Sequence, residues 1–163
     1  MPDMLVNLLH LPADDTEAAL RAEGIQIRRA MAPDKLQIVQ WVQAHDNAFA
    51  AGECDVCFSR IPVSAFLATH GATPVGNACY HATAPDFFGP TAVDAAYRGK
   101  GIGKALLLRC LQAMRQEGYV YAIIGGVGPA AFYTKAVGAT LIPDSDPGVY
   151  ADFLGRLEQD AER

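Results

Sequence analysis

The chain has 163 residues, 51% hydrophobic and 19% charged, with a formal net charge of −5. This length suits one domain and the composition excludes a disordered chain. The acidic balance, with no Lys/Arg run, argues against a nucleic-acid partner and weakly favours small cationic ones such as amines. No apolar run reaches the roughly 18 residues of a membrane span, and Asp3 stands where a signal peptide would carry basic residues. Four cysteines in such a chain read as reduced thiols, so a cytoplasmic protein is expected.

In chain order, Met4 to Leu9 is a short apolar run, either a strand or a helical turn. Asp14-Asp15-Thr16-Glu17 opens a helix that Gly24 closes, with acids in its first turn and Arg21 in its last. Ile25 to Arg29 alternates apolar with polar and predicts a strand. Pro33 then opens a helix through Leu36, Val39, Trp41 and Val42. Phe49-Ala50-Ala51 suggests a second short helix, broken at Gly52-Glu53. Cys54-x-x-Cys57 with Cys79 and His81 invites a zinc reading. Cys79-x-His81 is one residue short of a knuckle, however, and Cys79 falls in an apolar strand, so no metal is expected.

Pro62 to Thr69, a turn at His70–Pro74, and Val75 to Ala82 predict an antiparallel hairpin, and Phe87 to Val93 a third strand. Gly89-Pro90 inside that strand predicts a bulge or a splayed edge, because proline has no ladder N–H. Ile102 to Glu117 is a helix with Ile102, Leu106, Leu107, Cys110, Leu111, Ala113 and Met114 on one half. Ala105 and Leu108 are apolar exceptions on the other, and Gly118 is the cap. Tyr119 to Ile124 predicts a buried strand parallel to the one before the helix. A helix over Ala130–Val137, a strand over Ala139–Ile142 and a closing helix over Val149–Leu154 follow, with a charged tail that frays.

The junction from Val93 to Ala105 is the most informative stretch. Gly99, Gly101 and Gly103 alternate with Arg98, Lys100 and Lys104 between a strand and a helix. Glycines let consecutive N–H groups converge on one oxygen-rich group, and the helix start adds free donors and positive potential. A diphosphate is the natural guest. The triphosphatase loop fails, because Arg98 and Ala105 stand where it needs glycine and Ser/Thr. The dinucleotide fingerprint fails from either Gly99 or Gly101. Gly126-x-Gly128-x-x-Ala131 mimics that fingerprint too, but its helix is short and Pro129 lies in the turn.

What remains, Arg98-x-x-Gly101-x-Gly103, resembles the acyl-CoA pyrophosphate loop of the GNAT superfamily of N-acetyltransferases. Val93 matches the end of the preceding strand, with Ala95 in place of the usual proline. Phe132-Tyr133-Thr134-Lys135 resembles a second stretch of that family. Gly126 and Pro129 replace its asparagine and alanine, which puts one pantetheine contact in doubt. The resemblance covers roughly Val63 to Val149. It implies a single α/β domain, a central twisted mixed sheet flanked by helices and split where the coenzyme enters. Residues 1–62 are its variable front and residues 63–149 its acetyl-CoA-binding core. It implies acetyl-CoA as co-substrate, with backbone contacts near Thr91, Ala92 and Val93 and the diphosphate over Arg98, Gly99, Lys100, Gly101, Ile102, Gly103 and Lys104.

The same resemblance points Tyr133 at the thioester sulfur, where a phenol can return a proton to the departing thiolate. Asp86, His81 and Glu53 are candidates for the base that deprotonates the amine. The implied activity is N-acetylation of a primary amine by direct attack. Small amines, amino acids, antibiotics and protein N-termini all stand open as acceptors, and pairing of two copies through the last strands is compatible. A non-enzymatic coenzyme-A-binding module of the same fold is the competing reading.

Overall fold

The structure, a computed structural model, describes residues 1–156. The elements in chain order are β1 (Met4–Asn7), α1 (Glu17–Ala22), β2 (Ile25–Arg29), α2 (Lys35–His45), α3 (Ala48–Val56) and β3 (Ala65–His70). After these come β4 (Thr73–Tyr80), β5 (Phe87–Val93), α4 (Ile102–Gln116), β6 (Tyr121–Ile124), α5 (Ala130–Val137) and β7 (Thr140–Leu141). The seven strands form one mixed sheet in the order β2-β3-β4-β5-β6-β1-β7. Every pair is antiparallel except β5–β6, which is the parallel pair expected around α4.

Alternation along the strands fills two cores, one on each face. Phe66 and Ala68 of β3 and Ala78 and Tyr80 of β4 face α4, with Leu8, Leu20 and the inner side of α5 in the same cluster. Ala65, Leu67 and Cys79 face the opposite way, onto Ile38 and Val42 of α2 and Ala50, Ala51 and Cys54 of α3. The apolar run Met4–Leu9 turns out to be both of its expected forms. Met4–Asn7 pairs between β6 and β7, and Leu8–His10 is a 3-10 turn whose Leu9 N–H donates to the Asn7 side chain at 3.0 Å.

Four expectations are corrected. Gly52-Glu53 does not break a helix. Asn47 caps α3 by accepting from the Ala50 N–H at 2.9 Å, and the buried face of Ala50, Ala51 and Cys54 carries the helix through an exposed glycine. One such glycine costs only about 1 kcal/mol relative to alanine. Ala105 and Leu108 are fully buried, so the apolar arc of α4 is wider than a half-wheel. Arg109, on the same helix, is tied to Glu17 of α1. The expected strand Tyr119–Ile124 is shorter, spanning Tyr121–Ile124, and not wholly buried, since Tyr121 is half exposed. Val149–Leu154 is no α-helix. Gly148–Tyr150 forms a 3-10 turn and further turns follow. The fraying tail lies outside the described residues.

Candidate active site

The sheet opens at β5. This strand pairs with β6 only through Phe87↔Ile123 and Phe88↔Ile124. On its other side Ala78 pairs with Thr91 and Tyr80 with Phe88, so Gly89 and Pro90 together oppose Cys79 as a bulge. The expected disruption at Gly89-Pro90 is therefore present, and it releases β5 from β6. Thr91, Ala92 and Val93 keep β4 as their partner, while beyond Ile124 the chain turns away through Gly125–Pro129.

A cleft of about 740 Å³ fills this wedge. Its walls are the Thr91–Val93 edge, the loop residues Arg98, Gly99 and Gly101, the first residues of α4, and Phe132 and Tyr133 of α5. Of the residues assigned to the coenzyme from sequence, all line this cleft except Lys100. That ammonium lies 2.8 Å from Glu23 instead. Lys104 lines the cleft and reaches Asp15 at 3.3 Å, and Arg98 Nε donates to the Val93 carbonyl at 3.3 Å, pinning the loop to the strand end. His45 also lines the cleft. It stacks on Trp41 with ring centroids 4.1 Å apart and stands 3.6 Å from Asp94.

The start of α4 has the form of an anion cradle. Gly101 is its N-cap at φ 93°, a left-handed conformation that favours glycine, and no side chain caps the helix. The Ala105 N–H is the one that bonds the Gly101 carbonyl, at 3.0 Å, so the N–H groups of Ile102, Gly103 and Lys104 have no intrahelical acceptor. Gly103 is helical. A Cβ there would sit 3.9 Å from both Phe132 and Val93, so its side of the helix is left open to a guest.

Tyr133 is 7% exposed and packs edge-on against Phe132, with ring centroids 5.1 Å apart, and against Phe88 at 6.3 Å. Burial pushes its phenol above the ordinary tyrosine range. It also lines a second cavity, of about 850 Å³, on the far side of β5. Asp46, Phe88, Thr91, Pro129 and Tyr133 line both, so the two spaces meet there. The second cavity is walled by Phe49, Glu53 and Val56 of α3, by Thr83, and by Tyr150 and Phe153 of the closing segment.

Glu53 is drawn into this wall by the Thr83 hydroxyl, which donates to its carboxylate, and Tyr150 donates to Thr83 at 3.4 Å. Burial raises the Glu53 carboxyl above its usual range, the Thr83 bond opposes that, and the charge of Asp46 adds to it. Asp46 follows the end of α2 and accepts from Asn47 Nδ2 at 2.7 Å; burial raises its carboxyl as well. Tyr150 lies flat on Gly125, where an added Cβ would come within 2.7 Å of its hydroxyl. The dinucleotide-like run Gly126–Ala131 is not an open anion loop. Its Gly126 N–H donates to Asp3 Oδ1 and its Val127 N–H to the Pro2 carbonyl, both at 2.8 Å.

His81 and Asp86 line neither cavity. The His81 side chain is 4% exposed, its Nε2 stands 2.8 Å from Glu117, and its Nδ1 accepts from the Asp86 N–H at 3.0 Å. Both residues adopt left-handed backbone in the turn before β5, where the His81 ring is held on both nitrogens. The carboxylates that do reach the cavities are Glu53, one of the three candidates, Asp46, and Asp146, which pairs with the Met1 amino group at 2.7 Å. Sequence reasoning passed over Asp46 because an acid between His45 and Asn47 at a helix end reads as solvated turn. Cys54, Cys57 and Cys79 are fully buried free thiols. Hydrogen bonds to Cys54 and Cys57, and then burial, hold the Cys79 thiol well up, while His81 is committed to Glu117 and does not join them.

The model of the acetyltransferase (GNAT) family matches residues 28–139. No protein of curated function matches the chain. Among solved structures, the chain is similar to one of a fungal multi-domain GH3 β-N-acetylglucosaminidase with a GCN5-related glucosamine N-acetyltransferase region. The TM-score is 0.71 at 13% identity, over 86% of this chain and 19% of that one. It is also similar to the GCN5-related N-acetyltransferases of Sphaerobacter thermophilus (TM-score 0.61, 21% identity, 86% and 48% covered) and Kribbella flavida (0.55, 16%, 86% and 53%). The chain thus spans about half or less of the length of these three, and at such identities the likeness is one of fold.

Proposed function

The chain belongs to the GNAT acetyltransferase family, and from that premise we propose that it transfers an acetyl group from acetyl-CoA to a primary amine. The observation that carries the reading is the meeting of two cavities at Tyr133 and Asp46, one beside an uncapped helix start and the other lined by carboxylates and aromatic rings. The residues present fit the coenzyme. The free N–H groups of Ile102, Gly103 and Lys104 suit its diphosphate. The β5 edge at Thr91–Val93, unpaired on the β6 side, suits the amide-bearing arm, which it would bind as an added strand.

In this reading each residue has one task. Asp46 takes the proton from the entering ammonium, and the amine nitrogen then bonds to the acetyl carbonyl carbon. A backbone N–H near Val93 supports the carbonyl oxygen as it gains charge. The nitrogen gives up its second proton to solvent, the carbon–sulfur bond breaks, and the sulfur receives the Tyr133 proton, which solvent restores to the phenolate. Burial favours this role, because it keeps the phenol protonated at neutral pH. Neither His81 nor Asp86 is needed. Among the described residues no helix is long and apolar enough to cross a membrane.

The test is a panel of primary amines with acetyl-CoA, read by release of free thiol, beside calorimetric titration with coenzyme A. Acetyl transfer and a binding isotherm are expected. Binding without transfer to any amine would leave a coenzyme-binding module, and absence of binding would overturn the reading altogether.

A further inference from the structure

We infer that the acceptor carries a second ammonium group, and that Glu53 selects it by holding the end that does not react; the acceptor class is a short α,ω-diamine. The inference rests on the acetyl-transfer reading above and asks what fills the second cavity. Asp46 lines both cavities and stands where amine and thioester meet. Glu53 lines only the acceptor cavity. One carboxylate is therefore placed at the reaction and a second is set back from it along the acceptor's path.

The space between suits a methylene chain. Phe49 and Glu53 are four residues apart on α3, so they share one face of the helix, with roughly 6 Å of rise between them. Phe49 meets Phe153 edge-on at 5.1 Å, which joins α3 to the closing segment as a continuous apolar wall. A polymethylene spacer would lie along this wall with its charged ends at the two carboxylates.

Glu53 is built for a charged guest. It is partly buried, and no ion pair with a described residue is recorded for it or for Asp46. The Thr83 hydroxyl fixes one of its oxygens, with Tyr150 behind, and the other is left to a ligand. A third acid of the wall, Asp146, already pairs with the Met1 amino group at 2.7 Å, whereas the charge of Asp46 disfavours the ionised form of Glu53, and a guest with an ammonium at each end would relieve both of these. The amide forms at the end beside Asp46. The other ammonium leaves unchanged, so the product is the mono-acetylated diamine.

The experiment compares three acceptors that differ only at the distal end: cadaverine (ammonium), pentylamine (methyl) and 5-aminovalerate (carboxylate). Thiol release is measured with wild type, Glu53→Gln and Glu53→Asp. The expected result is a kcat/KM for cadaverine at least about tenfold above that for pentylamine, the range of a charge-assisted hydrogen bond. Glu53→Gln should shrink that ratio toward one and Glu53→Asp should restore part of it. Equal use of cadaverine and pentylamine by wild type overturns the diamine inference while acetyl transfer stands. So does a preference for 5-aminovalerate, which would make the distal end of the cavity a site for an anion. A uniform collapse of all acceptors in Glu53→Gln, with the ratio intact, would make Glu53 the base and also overturn it. Failure of every amine to release thiol would overturn the acetyl-transfer reading itself.

Discussion

At the scale of single residues, the geometry separates groups that meet the reacting atoms from groups that only hold structure. Tyr133 is enclosed by Phe88 and Phe132 and faces both cavities. Tyr133→Phe should lower kcat by about 100-fold, the usual weight of a positioned acid, with coenzyme affinity unchanged in calorimetry. In the parent the alkaline fall of kcat should lie above the ordinary tyrosine value near 10, because burial raises the phenol. Glu53 gives a prediction about stability. Its folded pKa is raised, chiefly by burial, so the folded chain holds the proton more tightly than the unfolded one. Stability therefore falls as pH rises from the normal glutamate range through the raised value, and the full penalty remains at neutral pH. Glu53→Gln should raise the melting temperature at neutral pH, and the gain should vanish below the normal glutamate range; thermal scans across pH read this directly. A gain that persists in acid would mean the carboxylate was not the source of the penalty.

At the scale of elements, the cleft proposed for the coenzyme is the joint between β5 and α4, and its glycines differ in their reasons for being there. Gly101 needs φ 93°, which costs a residue with Cβ about 1–2 kcal/mol, and its Cβ would approach Thr16 at 3.4 Å. Gly103 has ordinary helical backbone and room for a methyl group. Gly101→Ala should therefore destabilise the fold by about that amount and weaken coenzyme binding, whereas Gly103→Ala should keep the stability and weaken binding alone, because its methyl group enters the cleft, as calorimetry and denaturant titration will show. This joint was legible in sequence because its signals are local: three glycines, a strand before them and a periodic helix after. The Gly89-Pro90 bulge was legible for the same reason, since a missing N–H acts wherever the proline sits. The continuity of α3 was not. Gly52 is a weak local breaker, and what overrules it is the Asn47 cap together with a buried face whose partners lie on β3 and β4. The same limit hid the tail, where Tyr150 is placed by a glycine some 25 residues earlier rather than by helical periodicity.

At the scale of the whole molecule, one opening in the sheet makes two rooms with separate walls. The coenzyme side is made by β5, the following loop and α4. The acceptor side is made by α3, the end of β6 and the closing segment. Long-range placement of this kind separates the base candidates by whether they reach a cavity. His81 and Asp86 are as plausible in sequence as Glu53, yet neither lines either cavity, and His81 is held by Glu117 and by the Asp86 N–H in the turn before β5. Because the two rooms share few residues, their functions should separate on mutation, and Gly125 is the place to show it. A methyl group there would fall 2.7 Å from the Tyr150 hydroxyl and 2.8 Å from the Phe87 ring, so one of them must move. Phe87 is anchored in β5 by its pairing with Ile123. Tyr150 is held by a 3-10 turn and one long hydrogen bond to Thr83 and is the one to yield. Its displacement removes an acceptor wall and loosens the support of Glu53 through Thr83, at an overpacking cost of about 1–3 kcal/mol. Gly125→Ala should accordingly raise KM for the amine by about an order of magnitude while the Kd for coenzyme A stays within about twofold of the parent, because Tyr150, Thr83 and Glu53 line the acceptor side and not the other. If coenzyme affinity falls in parallel with amine KM, the two rooms are mechanically one, and the division of labour between α3 and α4 is wrong.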